Sequence, residues 1–102
     1  PKHIGGLNLN GLKKHEGLNL PEYIAGFLNL NGLTNAEGLR FPERIDGNLY
    51  INNLTSLRNV ILPKRVKGKI HYKGKEYMLY KLKQLQAQEE VDLTASITTH
   101  QR

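Results

Sequence analysis

Cysteine is absent from this 102-residue chain, so neither a disulfide framework nor thiol chemistry enters any account of it. Serine is nearly absent. Ser56 and Ser96 stand apart, neither has a histidine beside it in sequence, and no catalytic nucleophile is nominated. No run of 18 apolar residues occurs and no basic-then-apolar signal opens the chain, which excludes insertion of this sequence as a membrane helix. His3, His15, His71 and His100 show no metal-ligand spacing such as H-x-x-x-H, and the glycines form no G-x-x-x-x-G-K-[ST] phosphate loop. No cofactor, metal or catalytic residue is expected. Helical patterning is missing from the first three quarters of the chain, where no 12-residue stretch carries apolar residues at i, i+3, i+4 and i+7. Acids are also in deficit, with 9 Asp and Glu against 15 Lys and Arg, a net charge of +6.

What the chain has is repetition. Pro1, Pro21, Pro42 and Pro63 are spaced 20, 21 and 21 apart. Three residues after each comes the same phrase: Ile4-Gly5-Gly6, Ile24-Ala25-Gly26, Ile45-Asp46-Gly47 and Val66-Lys67-Gly68. The run Leu7-Asn8-Leu9-Asn10-Gly11-Leu12 then recurs at Leu28–Leu33 and Leu49–Leu54. Self-similarity at this period marks a unit that cannot bury its apolar face without its neighbours, hence a solenoid. Within a unit, Leu28-Asn29-Leu30 and Leu39-Arg40-Phe41 alternate apolar and polar, the period of a half-buried strand.

Three places per unit hold a residue that tolerates positive φ, and all three are expected to be left-handed corners. They are Gly11, Gly32, Asn53 and Gly74; Gly17, Gly38 and Asn59; and Gly6, Gly26, Gly47 and Gly68. The expected fold is mainly β: a short parallel solenoid of about three and a half coils over residues 1–75. A hairpin over Tyr72–Tyr77 and a helical cap over 76–90, carrying Met78, Leu82 and Leu85 at helical spacing, would close it. Residues 91–102, polar and aperiodic, are expected to be a flexible tail. Asn10, Asn31 and Asn52 would stack as a structural amide ladder. Pro1 falls inside a repeat unit, so the chain is expected to be a fragment of a longer one.

The steps Leu20-Pro21, Phe41-Pro42 and Leu62-Pro63, with Leu28-x-Leu30 and Leu49-x-Ile51, resemble leucine-rich repeats over residues 1 to about 72. The likeness is to the short type with a Leu-Pro step found in some secreted bacterial effectors. The asparagines sit one or two residues earlier than in that family's pattern. In this respect the chain is more similar to the β-solenoid-type repeats of phage and bacterial proteins. The resemblance implies a leucine-rich-repeat-like fold, no single activity, and a cytoplasmic or secreted-effector setting.

Candidate functional residues fall in two groups. Tyr23, Arg44 and Arg65 occupy one outward row across successive units, a composition enriched at protein interfaces, and Asn8, Asn29 and Tyr50 occupy another. Residues 58–83 carry nine cations against Glu76 alone, with Tyr72 and Tyr77 among them. There Lys67, Lys69, Lys73 and Lys75 fall on alternate positions and would point outward from the last strand. Outward lysines protect a sheet edge from wrong pairing, attract an acidic protein partner, or hold nucleic acid. Glu22 and Glu43, like Glu16 and Glu37, stack as equivalents but give way to Lys64 and Arg58, which makes them a solvated face rather than an acid/base pair. His15 takes the slot of Ala36 and Leu57, so partial burial is expected. The expected function is a non-catalytic module for protein–protein interaction or rigid scaffolding. Binding of nucleic acid or an anionic surface through the basic end is one alternative. The other is a targeting domain whose enzymatic part lies elsewhere.

Overall fold

The computed structural model describes residues 3–100. The chain forms short strands in parallel sheets followed by one C-terminal helix. Each repeat contributes one strand to each of two sheets. Strands β1 (His3–Ile4), β3 (Tyr23–Ile24), β5 (Arg44–Ile45) and β7 (Arg65–Val66) form the first sheet, in that order. Strands β2 (Leu7–Asn8), β4 (Leu28–Asn29), β6 (Leu49–Tyr50) and β8 (Ile70–Tyr72) form the second, which gains β9 (Lys75–Tyr77) at its end. A parallel bridge between Arg40 and Ile61 joins two repeats on a third side.

Register follows the sequence period. Ile24 pairs with Ile45 and Ile45 with Val66, while Leu28 pairs with Leu49 and Leu49 with Ile70. Alternation turns these residues into one core, where Ile24, Leu28, Leu30, Ile45, Leu49, Ile51 and Ile70 are fully buried. In the first repeat Leu7, Leu9, Leu12, Leu18 and Leu20 pack against this core but are only half-buried. His15 is half-buried in the slot that Ala36 and Leu57 bury completely.

The recurring glycine slots serve two different needs. One slot is left-handed: Gly17, Gly38 and Asn59 have φ of 77°, 82° and 58°. The expectation fails for Gly11, Gly32 and Asn53, which lie outside the left-handed region, as do Gly6, Gly26, Gly47 and Gly68. Glycine is required at Gly47 for lack of space, since a Cβ there would sit 2.6 Å from the carbonyl carbon of Gly26 in the repeat before. The Gly47 N–H bonds the Gly26 carbonyl at 3.0 Å, so the two backbones touch directly.

The end of the second sheet reverses direction. Lys73 and Gly74 take φ of 53° and 80°, both positive as in a type I′ turn, and β9 returns antiparallel to β8. Helix α1 then runs Leu79–His100. It starts three residues later than the 76–90 cap expected from sequence and continues through residues 91–100, where a tail was expected. No glycine or proline interrupts this stretch, so backbone hydrogen bonding continues where apolar periodicity has faded. Residues 101 and 102 lie outside the described part.

Leu82 is fully buried against the last repeat, flanked by Leu79 and Leu85. Gln86 and Glu89, on the same helical face, supply the polar half of the contact. Gln86 Nε2 donates to the carbonyls of Leu57 and Val60, both at 2.8 Å. Glu89 accepts from the Leu57 N–H at 2.8 Å and from the Tyr72 hydroxyl at 3.0 Å. Of these groups the Val60 carbonyl is the equivalent of the Leu39 carbonyl, which accepts from Ile61 N in the following repeat at 3.0 Å, so Gln86 takes the place of a next repeat there.

Candidate interaction surface

The row Tyr23, Arg44, Arg65 is contiguous across β3, β5 and β7, each residue directly opposite the next. Asp46, two residues beyond Arg44 on the same face, ties part of the row together. The Tyr23 hydroxyl donates to Asp46 Oδ2 at 2.6 Å, and Arg44 Nε donates to Asp46 Oδ1 at 2.9 Å. The guanidinium of Arg44 lies over the Tyr23 ring, 4.9 Å from its centroid. Hydrogen bonding from Tyr23, and then from Arg44, holds the Asp46 carboxyl below its ordinary value of 3.8. The same bond to Asp46 raises the Tyr23 phenol above its ordinary 10.0.

This depression has a definite pH consequence. A carboxyl whose folded pKa lies below the unfolded one stabilises the fold fully above the unfolded value, and that contribution disappears as pH falls through the folded pKa. In a carbon-detected NMR titration Asp46 is expected to titrate below 3.8, and Tyr23→Phe is expected to move it back toward that value. An Asp46 titration unchanged by Tyr23→Phe would contradict the bond.

The second row continues Asn8, Asn29, Tyr50 and His71 across β2, β4, β6 and β8. Tyr50 and His71 stack with ring centroids 4.7 Å apart and an interplanar angle of 16°. Beyond them Glu76 pairs with His71 across the hairpin. The change from Asn to Tyr at position 50 reroutes the turn contacts. Asn8 and Asn29 cap the amides of Asn10 and Asn31 within their own repeats, at 3.0 and 2.9 Å. The Tyr50 side chain has no carbonyl to offer, and the Asn52 amide is held by Asn31 Oδ1 at 2.8 Å instead. Asn52 Oδ1 in turn accepts from Gly74 N at 3.0 Å, pinning the hairpin turn. Inter-repeat amide contacts therefore run through Asn31 and Asn52, while the Asn10 amide is held by Asn8.

Among the expected basic candidates, Arg65, Lys67, Lys69, Lys73 and Lys75 are all exposed. They do not share one strand. Lys67 and Lys69 flank the Gly68 corner, and Lys73 and Lys75 flank Gly74 in the hairpin. Tyr72 is not a contact residue. It is 1 % exposed, on the same side of β8 as Ile70, and its hydroxyl is turned toward Glu89. Burial and that bond raise its pKa, so the phenol remains a donor. The lysines around Tyr72 in sequence obscured a strand alternation that places it inside.

Asp46, Gln86 and Glu89 were not identifiable from the repeat. Asp46 occupies a slot held by Ala25 and Lys67, so periodicity gives it no weight. The helix residues belong to no repeat at all. Two open clefts of about 400 and 480 Å³ share His15 and Glu16, and neither is lined by the Tyr23–Arg65 row. Among the described residues no group of three or more His, Asp or Glu side chains could hold a metal, and no helix is long and apolar enough to cross a membrane. No protein-family model matches the chain, and comparison with curated proteins and with solved structures finds no match.

Proposed function

We propose that the chain is a non-catalytic interaction module: a short parallel β-solenoid, closed by its helix, that presents side chains in register to a protein partner. The observation carrying this is the Tyr23–Arg44–Asp46 network, continued by exposed Arg65. Tyrosine and arginine are enriched among the few residues that dominate binding energy at protein interfaces. Here they stand on rigid strands and are already ordered by a shared carboxylate, so little conformational freedom remains to be lost on association. A passive spacer, the competing role, has no use for such pre-organisation on its outer face.

The test is affinity capture from lysate at low and high salt, with nuclease present, comparing the wild type with an Arg44→Ala/Arg65→Ala variant. A discrete protein retained at high salt, and weakened at least about tenfold by the double substitution, is expected. Retention unaffected by both substitutions would move the contact elsewhere. An absence of any retained protein would favour the spacer.

A further inference from the structure

The last repeat differs from those before it in one systematic way. At successive outward columns, Glu22 and Glu43 give way to Lys64, Tyr23 and Arg44 to Arg65, Ala25 and Asp46 to Lys67, and Phe27 and Asn48 to Lys69. All four of these cations are exposed. They surround the one strand edge that the C-terminal elements leave in its original direction. The second sheet is extended past β8 by β9, whereas the first ends on β7. In β7 and just after it the amides of Arg65 and Lys67 donate toward β5, to Glu43 and Ile45 at 3.0 and 2.9 Å. Alternation along a parallel ladder directs the N–H and C=O of Val66, between them, to the outer edge.

We propose that β7 docks an extended acidic peptide segment, paired to the strand edge at Val66, with its carboxylates met by Lys64, Arg65, Lys67 and Lys69. This rests on the interaction-module reading and gives the partner a chemistry. Strand addition supplies affinity through main-chain bonds and leaves specificity to the flanking side chains. Here every flanking column offers a cation, so an Asp- or Glu-rich strand is matched and a basic one repelled. Nucleic acid fits less well. A single strand is held by stacking its bases on exposed rings as well as by charge. Around the hairpin, His71 stacks on Tyr50 with Glu76 beside it, Tyr72 is buried and Tyr77 packs against it, which leaves Tyr80 at the start of the helix, 62 % exposed, as the ring open to a base. Edge protection alone explains cations beside a strand, but it predicts no binding.

The probe is a fluorescein-labelled peptide of alternating Glu and Ser, titrated with the full chain and read by fluorescence anisotropy. A labelled oligothymidylate and the same peptide with alternate backbone nitrogens methylated run in parallel. Saturable binding of the first peptide is expected. It should weaken at least about tenfold in a Lys64→Gln/Arg65→Gln/Lys67→Gln/Lys69→Gln variant that keeps its thermal transition. Methylation should weaken it comparably, because a blocked N–H cannot pair with the edge. Equal binding of the methylated peptide would overturn strand pairing, and tighter binding of the oligothymidylate would overturn the choice of partner. No peptide binding would leave edge protection as the role of these cations. That last outcome is separable from failure of the module itself, which is read by the Arg44→Ala/Arg65→Ala capture.

Discussion

Gly47→Ala is expected to destabilise the protein by about 3 kcal/mol, the upper part of the range for forcing atoms into a packed interior. In a domain of this size that lowers Tm by roughly 12–24 °C. The cause is steric. The added Cβ would lie 2.6 Å from the Gly26 carbonyl carbon and 2.8 Å from the Phe27 nitrogen, both backbone atoms of the preceding repeat. Backbone cannot swing aside as a side chain can, so the repeats must separate locally and the bond from Gly47 N to Gly26 O is lost with them. Gly11→Ala is the matched control. Nothing lies within 4 Å of a Cβ there and the backbone is not left-handed, so the change should be neutral or stabilise by up to about 1 kcal/mol. Thermal and urea denaturation of both variants decide the matter. If Gly47→Ala behaves like Gly11→Ala, the close backbone contact between repeats is wrong.

Glu89→Ala is expected to cost about 2–4 kcal/mol, since it leaves two donors without their acceptor and each such loss is worth about 1–3 kcal/mol. The donors are the Leu57 amide and the Tyr72 hydroxyl, in residues 0 % and 1 % exposed. Glu89→Gln should recover only part of the loss, because an amide offers one accepting oxygen where the carboxylate offers two. Two further measurements separate this from a loss of helix propensity. The Leu57 amide should exchange faster with solvent deuterium in Glu89→Ala than in wild type, while amides of the first repeats change little. Tyr72→Phe should also couple to Glu89→Ala by about 1 kcal/mol in a double-mutant cycle. A cost below about 0.5 kcal/mol would mean that the helix lies on the stack without closing it.

The period of 21 was enough to place the apolar columns of the inner repeats, from Ile24 through Phe41, but not the buried Pro42. Once Ile24, Ile45 and Val66 share a column, alternation alone sends Tyr23, Arg44 and Arg65 to the other face, as the pairing shows. The glycine slots were harder because two physical demands select the same residue. Gly38 answers a left-handed φ and Gly47 answers a contact with another backbone, and only coordinates separate them. Substitution by asparagine did mark the left-handed slot at Asn59. At Asn53 it marked something else, a side-chain bond from Nδ2 to the Asn31 carbonyl at 2.6 Å. Tyr72 was misplaced because its charged neighbours outweighed its position two residues after Ile70. Asp46 and Glu89 act through partners 23 and 17 residues away on the chain, separations that no local pattern encodes.

The two-residue turn at Lys73-Gly74 has a consequence for assembly. By reversing β9 it gives the two sheets opposite polarity at the same end: the first still presents a strand running with the stack, the second a strand running against it. A further repeat of parallel geometry, whether from this chain or another copy, cannot satisfy both edges in one orientation. The reversed strand thus works against the stacking of a further parallel repeat on this end. A lone strand, which needs only one edge, escapes that mismatch, as the proposed acidic segment on β7 requires.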